Sequence, residues 1–350
     1  MNAEEKLALL MRNTEEVITK DELEALLDSG RQPRAYIGLE PSGLVHIGTG
    51  LILTGKLKDF CDCGFEVIIF LADWHAYIND KFGADMEKIQ ACGRYFEDAF
   101  RALGLDRPNV KFVYASELTG KREYWEKVLR IAKNSSVARI KRAMTIMGRK
   151  EEDAETDSSK LLYPAMQAAD IFHMEIDVAF AGIDQRKAHM LARDVAEKLG
   201  WKKPTALHTP LLTGLSGAQR MDSIEAKMSK SNPDNCIFIH DTADDIKRKL
   251  KKAYCPQGDI AGNPVIDIFR FIIFNNYDKV TIERAEKHGG SLEFASHQEL
   301  ETTFRENKLH PMDLKDAAAK YLSELLAPAQ KYFEKKPENY ETVRKLVLGK

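Results

Sequence analysis

Tyr36-Ile37-Gly38-Leu39-Glu40-Pro41-Ser42-Gly43-Leu44-Val45-His46-Ile47-Gly48-Thr49 carries a strand, a turn and the start of a helix in fourteen residues. Arg34 to Leu39 has the composition of a buried strand, and Glu40-Pro41-Ser42-Gly43 is a turn-forming run. From His46 to Phe60, Ile47, Leu51, Leu53 and Leu57 recur at helical spacing. A strand that passes through a glycine-rich turn into a helix N-terminus offers free N–H groups and a favourable dipole to a phosphate. A histidine at that point adds a donor. The same residues also fit a plain turn capped by a histidine.

Outward from this stretch the alternation continues. The apolar run Val67–Ala72 suits a strand covered on both faces, as in a parallel sheet. Met86, Ile89, Tyr95, Phe96, Phe100 and Leu103 mark an amphipathic helix over Asp85–Leu103, stopped by Gly104. Val110–Tyr114 is a further short strand, followed by basic helical stretches at Glu123–Lys133 and Ser136–Arg149 and a polar loop at Glu151–Lys160. A helix beginning near Tyr163, with Pro164 in its first turn, precedes a strand at Asp177–Ala181 and a helix at Gln185–Leu199. Strands alternating with helices predict a parallel, three-layer α/β sheet. Residues 1 to about 30 read as a charged helical lead-in without a strand. After Ile237–His240 the pattern turns helical, at Ala243–Tyr254, Pro264–Phe274, His297–Phe304 and Pro311–Leu326, with Pro328 interrupting a continuous last helix. The boundary is placed near Asp241, giving domains 1–241 and 242–350.

Composition limits the function. The chain has 350 residues, 44% hydrophobic and 30% charged, a soluble globular balance. A formal net charge of −2 argues against nucleic-acid binding by bulk charge, while leaving room for local basic faces. The longest apolar run, Val67–Ala72, is far short of the ~20 residues of a membrane helix. The acidic start Met1–Lys6 lacks a signal-peptide core. Five cysteines, dispersed except for Cys61 and Cys63, point to a reducing, cytoplasmic setting. Cys61 and Cys63 lack a second pair for zinc and fit a core and a surface position on one helix.

A second segment, Lys227-Met228-Ser229-Lys230-Ser231, places two lysines and two hydroxyls on a loop, which suits a triphosphate or, alternatively, a solvated lysine loop. Tyr163, Gln167, Asp170, Ile171 and Met174 share one helical face. Packing alone accounts for the apolar members, but a carboxylate there needs a partner.

Together, His46-Ile47-Gly48-Thr49 and Lys227–Ser231 resemble the two signatures of the class I aminoacyl-tRNA synthetases, with Thr49 in place of the second histidine. Tyr36, the Tyr163–Met174 set, Gly182-Ile183-Asp184-Gln185-Arg186-Lys187 and His310-Pro311-Met312-Asp313 narrow the resemblance to the tyrosyl-tRNA synthetases of archaeal and eukaryotic type. It covers nearly the whole chain. It implies a Rossmann-like catalytic domain, with inserted dimer and acceptor-stem helices around 115–160, and a mainly helical anticodon-binding domain.

The resemblance further implies activation of tyrosine by ATP, with Mg2+ and no tightly bound protein-ligated metal, and transfer to tRNA by a homodimer. Tyr36 and Asp170 are then expected to bond the phenol, and Tyr163, Gln167 and Gln185 to hold the α-amino group. Asp184 is expected near the ribose; His46, Gly48, Thr49 and the loop Lys227, Ser229, Lys230 and Ser231 are expected at the phosphates. Phe70 and Thr119 stand where relatives carry Leu and Gln, read as compensated packing with tyrosine specificity kept. Arg142 and Arg186 match readers of the first acceptor base pair, and Cys255, His288 and Asp313 match anticodon-contacting positions. Basic clusters around Lys133–Arg149 and Lys247–Lys252 fit a long ligand or plain solvated faces. His75 is expected near the pocket without a catalytic part. Two other readings stay open: a tryptophanyl-tRNA synthetase, and a synthetase-derived RNA-binding protein without catalysis.

Overall fold

The computed structural model describes residues 1–148, 157–218, 226–228 and 233–349. Two compact units result. The first holds Met1–Gly43, Lys56–Pro210 and Glu338–Lys350, and the second holds Leu44–Gly55 and Leu211–Pro337. Asp241 therefore lies inside the second unit, and the last helix belongs to the first.

The first unit is built on six strands: β1 Glu16–Ile18, β2 Arg34–Leu39, β3 Glu66–Leu71, β4 Val110–Tyr114, β5 Val178–Gly182 and β6 Thr205–Thr209. Their spatial order is β1-β6-β5-β2-β3-β4, parallel throughout except for β1 against β6. The expected α/β class and parallel sheet are thus observed. Strand order reverses at β2, which is flanked by β3 and β5, and the crevice at the carboxyl ends of strands at such a reversal is where open α/β sheets bind ligands.

Register decides what faces that crevice. Tyr36 pairs with Ile68 and Ala179, and Gly38 with Phe70, so these residues share one face. A Cβ at Gly38 would lie 2.5 Å from the Tyr36 hydroxyl, so only glycine lets that ring lie along the strand. The helix Tyr163–His173, with Pro164 in its first turn, belongs to the same core cluster as Tyr36, Phe70 and Ala179. All its residues from Tyr163 to Ile171 are buried, so it is buried on every side.

The structure differs from the sequence reading at five further points. The lead-in contains β1, whose three residues are too short to show a period and owe their extension to β6. Pro311–Lys335 is one helix running through Pro328. Leu322 and Leu326 before the proline, and Ala329 and Phe333 after it, are buried, and this packing offsets the ~3 kcal/mol an internal proline costs. Cys61 and Cys63 are both buried, and burial pushes the Cys63 thiol up to about 11. Helix Glu338–Leu348 packs on Met86–Phe100 in the first unit, where Asn339 Nδ2 donates to Asp98 Oδ2 at 2.7 Å. The second unit adds a hairpin of β7 Val280–Ile282 and β8 Leu292–Phe294 to its helices.

Candidate active site

In the first unit Asp170 is the centre of a buried cluster of aromatic side chains, the candidate pocket. The helix face predicted to carry it does so, and the residue is 1% exposed. Tyr124 Oη donates to Asp170 Oδ1 at 2.9 Å. His75 Nε2 stands 3.2 Å from Oδ2, within ion-pair distance but off the direction of a hydrogen bond, which leaves Oδ2 unpartnered. Burial opposes a charge on His75. Asp170, with Glu40 and Asp73 behind it, outweighs that and raises the imidazole above its ordinary value. Burial, reinforced by Asp170, pushes the phenols of Tyr36 and Tyr124 well up, so both stay protonated.

The walls are aromatic. Phe70 lies 5.9 Å from the Tyr36 ring and 6.0 Å from His75, and His75 meets Tyr163 edge-on at 4.9 Å. Tyr163 Oη donates to Glu40 Oε1 at 2.6 Å, and Asn79 Nδ2 donates to the same carboxylate. Gln167 Nε2 donates to Gln185 Oε1 at 3.4 Å, Gln185 Nε2 donates to the Ile146 carbonyl at 3.0 Å, and Gln167 Oε1 is buried without a partner. Asp184 and Gln185 sit in the turn directly after β5, at the carboxyl end of the sheet. The fold therefore brings together Tyr36, Tyr163, Gln167, Asp170 and Gln185. Thr119 ends the short helix Ala115–Thr119, half-buried, and its carbonyl accepts from Trp125 Nε1 at 2.8 Å.

Sequence reasoning missed Tyr124 and Glu40 as members of this pocket. Tyr124 lies on the buried side of Arg122–Lys133 and looks like a packing residue. Glu40 had a signal: it is the one acid in the decisive turn. At the opposite, amino end of β2 and β3, a cavity of about 640 Å³ is lined by Arg31, Arg34, Glu66, Asp177 and Lys202. Its charges are largely satisfied by Arg31–Asp177 and Arg34–Glu66 pairs.

The second unit holds both signature segments. Ile47 N–H donates to the Ile237 carbonyl and Ile239 N–H to Val45, so the segment around His46 is tied to Ile237–Ile239. His46 Nδ1 accepts from Gly48 N–H at 3.1 Å, which puts the ring proton on Nε2. A Cβ at Gly48 would meet the His46 ring at 3.0–3.1 Å and Leu212 at 3.6 Å. Met228 N–H donates to Leu212 at 2.6 Å, and Thr213 bridges Lys227. Leu212–Thr213 thus joins the Gly48 turn to Lys227. Ser229, Lys230 and Ser231 lie outside the described residues, as does Arg149.

Among the expected RNA contacts, Arg142 and Arg186 are exposed. They stand on helices Val137–Ala143 and Arg186–Leu199, which pack together and are linked by Arg139–Asp194 at 2.7 Å. In the second unit Asp313 opens the helix Pro311–Lys335, and His288 ends the turn Glu286–His288. Cys255 is buried, its sulfur accepting from Asn263 Nδ2 at 3.4 Å. Lys249 of the basic cluster is also buried and paired with Asp241 at 2.6 Å.

The model of the class I tRNA synthetases (W and Y) matches residues 28–327. The chain belongs to that family. It is 50% identical to the tyrosine–tRNA ligase of Saccharolobus solfataricus, over 99% of this chain and 97% of that one. The tyrosyl-tRNA synthetase of Pyrococcus horikoshii, solved in complex with L-tyrosine, superposes with a TM-score of 0.93 at 42% identity, covering 99% of this chain and 100% of the other. The tyrosyl-tRNA synthetase of Aeropyrum pernix gives 0.89 at 44% identity, with both chains fully covered.

Proposed function

We propose that the chain activates L-tyrosine with ATP and transfers the tyrosyl group to the 3′ end of tRNA(Tyr). The observation that carries the substrate is Asp170, buried among aromatic rings with Oδ2 unpartnered. A phenolic hydroxyl supplies that oxygen with a donor and can accept from Tyr36, whereas an indole N–H only donates. Phenylalanine would leave the carboxylate unsatisfied. Gln167 Oε1, also buried and unpartnered, suits the substrate ammonium, with Tyr163 and Gln185 beside it.

No side chain need act as nucleophile. The tyrosine carboxylate attacks the α-phosphate, a carboxyl oxygen–phosphorus bond forms, and pyrophosphate leaves. The tRNA 3′ hydroxyl then attacks the carbonyl and AMP departs. Positioning and charge stabilisation are the enzyme's part. His46 Nε2–H, the Gly48–Thr49 turn and Lys227, with Ser229, Lys230 and Ser231, are assigned to the phosphates, and Asp184 to the ribose. Mg2+ enters on the nucleotide. Among the described residues no group of three or more His, Cys, Asp or Glu is placed to hold a metal ion.

Residues 1–241 are assigned to catalysis, with helices around 115–160 for dimerisation and the acceptor stem, and the part of 242–350 that lies in the second unit, up to Pro337, to the anticodon. Arg142 and Arg186 would read the first acceptor pair, and Cys255, His288 and Asp313 the anticodon. Trp125, Leu129 and Val137 expose large apolar side chains in the 115–160 region, which supports a homodimer; the compartment assigned to it is the cytoplasm. No helix among the described residues is long and apolar enough to cross a membrane.

Pyrophosphate exchange measured with each of the twenty amino acids tests the reading. Exchange with tyrosine alone is expected. Exchange with tryptophan would transfer the chain to the indole branch, and no exchange at all would leave an RNA-binding protein.

A further inference from the structure

Four side chains of the first unit form a line from the surface into the core. Arg186 opens its helix with a side chain 46% exposed, and its Nε donates to Glu16 at 2.8 Å (Oε2) and 3.0 Å (Oε1). Glu16 lies on β1 directly across from His208 on β6. His208 Nδ1 is 3.0 Å from Glu16 Oε2, and His208 Nε2 is 2.9 Å from His189 Nδ1. The two imidazoles stack with centroids 5.0 Å apart, and both are buried.

The protons on this line are fixed by its geometry. Burial holds His189 and His208 below the ordinary histidine range and therefore neutral. Around His208 the charged groups are Glu16 on β1, Asp184 in the turn after β5, and Arg186 at the start of the helix that also carries His189. With both rings neutral, His189 Nδ1–H donates to His208 Nε2, and His208 Nδ1–H donates to Glu16. Glu16 is thus pinned from behind by a buried imidazole and carries the charge that meets Arg186. It takes only the Nε–H of the guanidinium. Among the described residues, Nη1 and Nη2 donate to no protein group.

We infer that Glu16 is a positioning residue for tRNA recognition, gripping Arg186 by Nε so that its Nη1/Nη2 fork is presented to the acceptor end. The inference rests on the reading of Arg186 proposed above. A guanidinium on a free side chain must lose rotamer freedom to meet a base edge, and one already held in plane loses less. Among the described residues the side-chain partners of Glu16 are Arg186 and His208, and it is not among the residues assigned to tyrosine or ATP, so it acts through Arg186.

The experiment compares Glu16→Ala, Glu16→Gln, Arg186→Ala and the Glu16→Ala/Arg186→Ala double variant in the full chain. Charging kcat/KM is measured on cognate tRNA(Tyr) and on a tRNA with its first acceptor pair exchanged, beside tyrosine-dependent pyrophosphate exchange. Glu16→Ala is expected to lower cognate charging about tenfold, chiefly through KM for tRNA, and to narrow the preference for the cognate pair. Its pyrophosphate exchange should stay at the wild-type rate. Glu16→Gln, which keeps an acceptor for Nε–H, should lose less, and the double variant should match Arg186→Ala. Wild-type charging by Glu16→Ala beside impaired Arg186→Ala would overturn the positioning role alone. So would additive losses in the double variant, or parallel loss of pyrophosphate exchange in both Glu16 variants. Wild-type charging by Arg186→Ala would instead remove the reading of Arg186 beneath it.

Discussion

Around Asp170 the polar atoms are buried, and Asp170 Oδ2 and Gln167 Oε1 accept no hydrogen bond from the protein. Around His46 and Lys227 the side chains are half-buried, and backbone bonds through Ile237 and Leu212 place them. The first arrangement makes side-chain identity decisive, because each buried acceptor must be met by the ligand's own donor. The second makes backbone geometry decisive, because a phosphate is met by N–H groups and cations that the turn aligns. Histidines report the same contrast. His75, facing Asp170, is raised above its ordinary value, while His240, beside the Phe333 ring at 4.4 Å, is pushed down to about 3 by burial.

The largest effect is expected from Asp170→Ala. It removes the acceptor of Tyr124 Oη and the ion-pair partner of His75, and should cost about 3 kcal/mol in kcat/KM for tyrosine, roughly 150-fold. KM for ATP should hardly move. Equal losses for both substrates in steady-state exchange would break the contrast between the two regions.

Lys227→Ala is expected to act in the opposite column. Loss of a cation at the developing pyrophosphate should slow adenylate formation by about 2 kcal/mol, seen in kcat. Single-turnover measurement of tyrosyl-adenylate is the check, and a change confined to tyrosine KM would contradict the phosphate assignment.

A smaller effect should follow pH with opposite signs in the two units. Because His75 is raised in the fold, its contribution to stability is full below about 6.5 and fades as pH rises through its folded value. His240 prefers the neutral form, so its contribution is full above about 6.5 and is lost as pH falls toward about 3. Thermal unfolding followed against pH should lose its alkaline limb in His75→Gln and part of its acid limb in His240→Phe. The same limb lost in both variants would refute the opposite shifts.

The smallest effect is expected from Phe70→Leu. The ring wedges between Tyr36 and His75, and trimming it should lower stability by about 1 kcal/mol. Discrimination against phenylalanine should persist, since Asp170 and Tyr36 remain. Its collapse in exchange assays would make Phe70 a specificity residue rather than a wall.

Local pattern made much of this legible. Arg34–Leu39 is the strand its composition predicts, and Tyr163, Gln167 and Asp170 share a buried helix because a 3.6-residue period puts them there. His46–Thr49 and Lys227 carried their chemistry in residue type and order. Pairings across long stretches of chain were not legible. Tyr124 meets Asp170 only because Arg122–Lys133 packs on Tyr163–His173, and Tyr163 meets Glu40 across 123 positions.

By itself the sequence determined the alternation of strand and helix, the two signature segments and the family. Each is a property of neighbouring residues, set by side-chain period, turn chemistry and residue identity. The tertiary structure alone decided that Leu44–Gly55 groups with Leu211–Pro337 and that Pro328 lies within an unbroken helix. It also decided that Glu16, on a strand of three residues, stands against Arg186. A three-residue strand has no period to read, and a proline's local cost is visible while the packing that offsets it is not. Which partner a strand edge or a charged side chain finds depends on the strand order and register of the finished sheet, information spread over the whole chain rather than held at any one position.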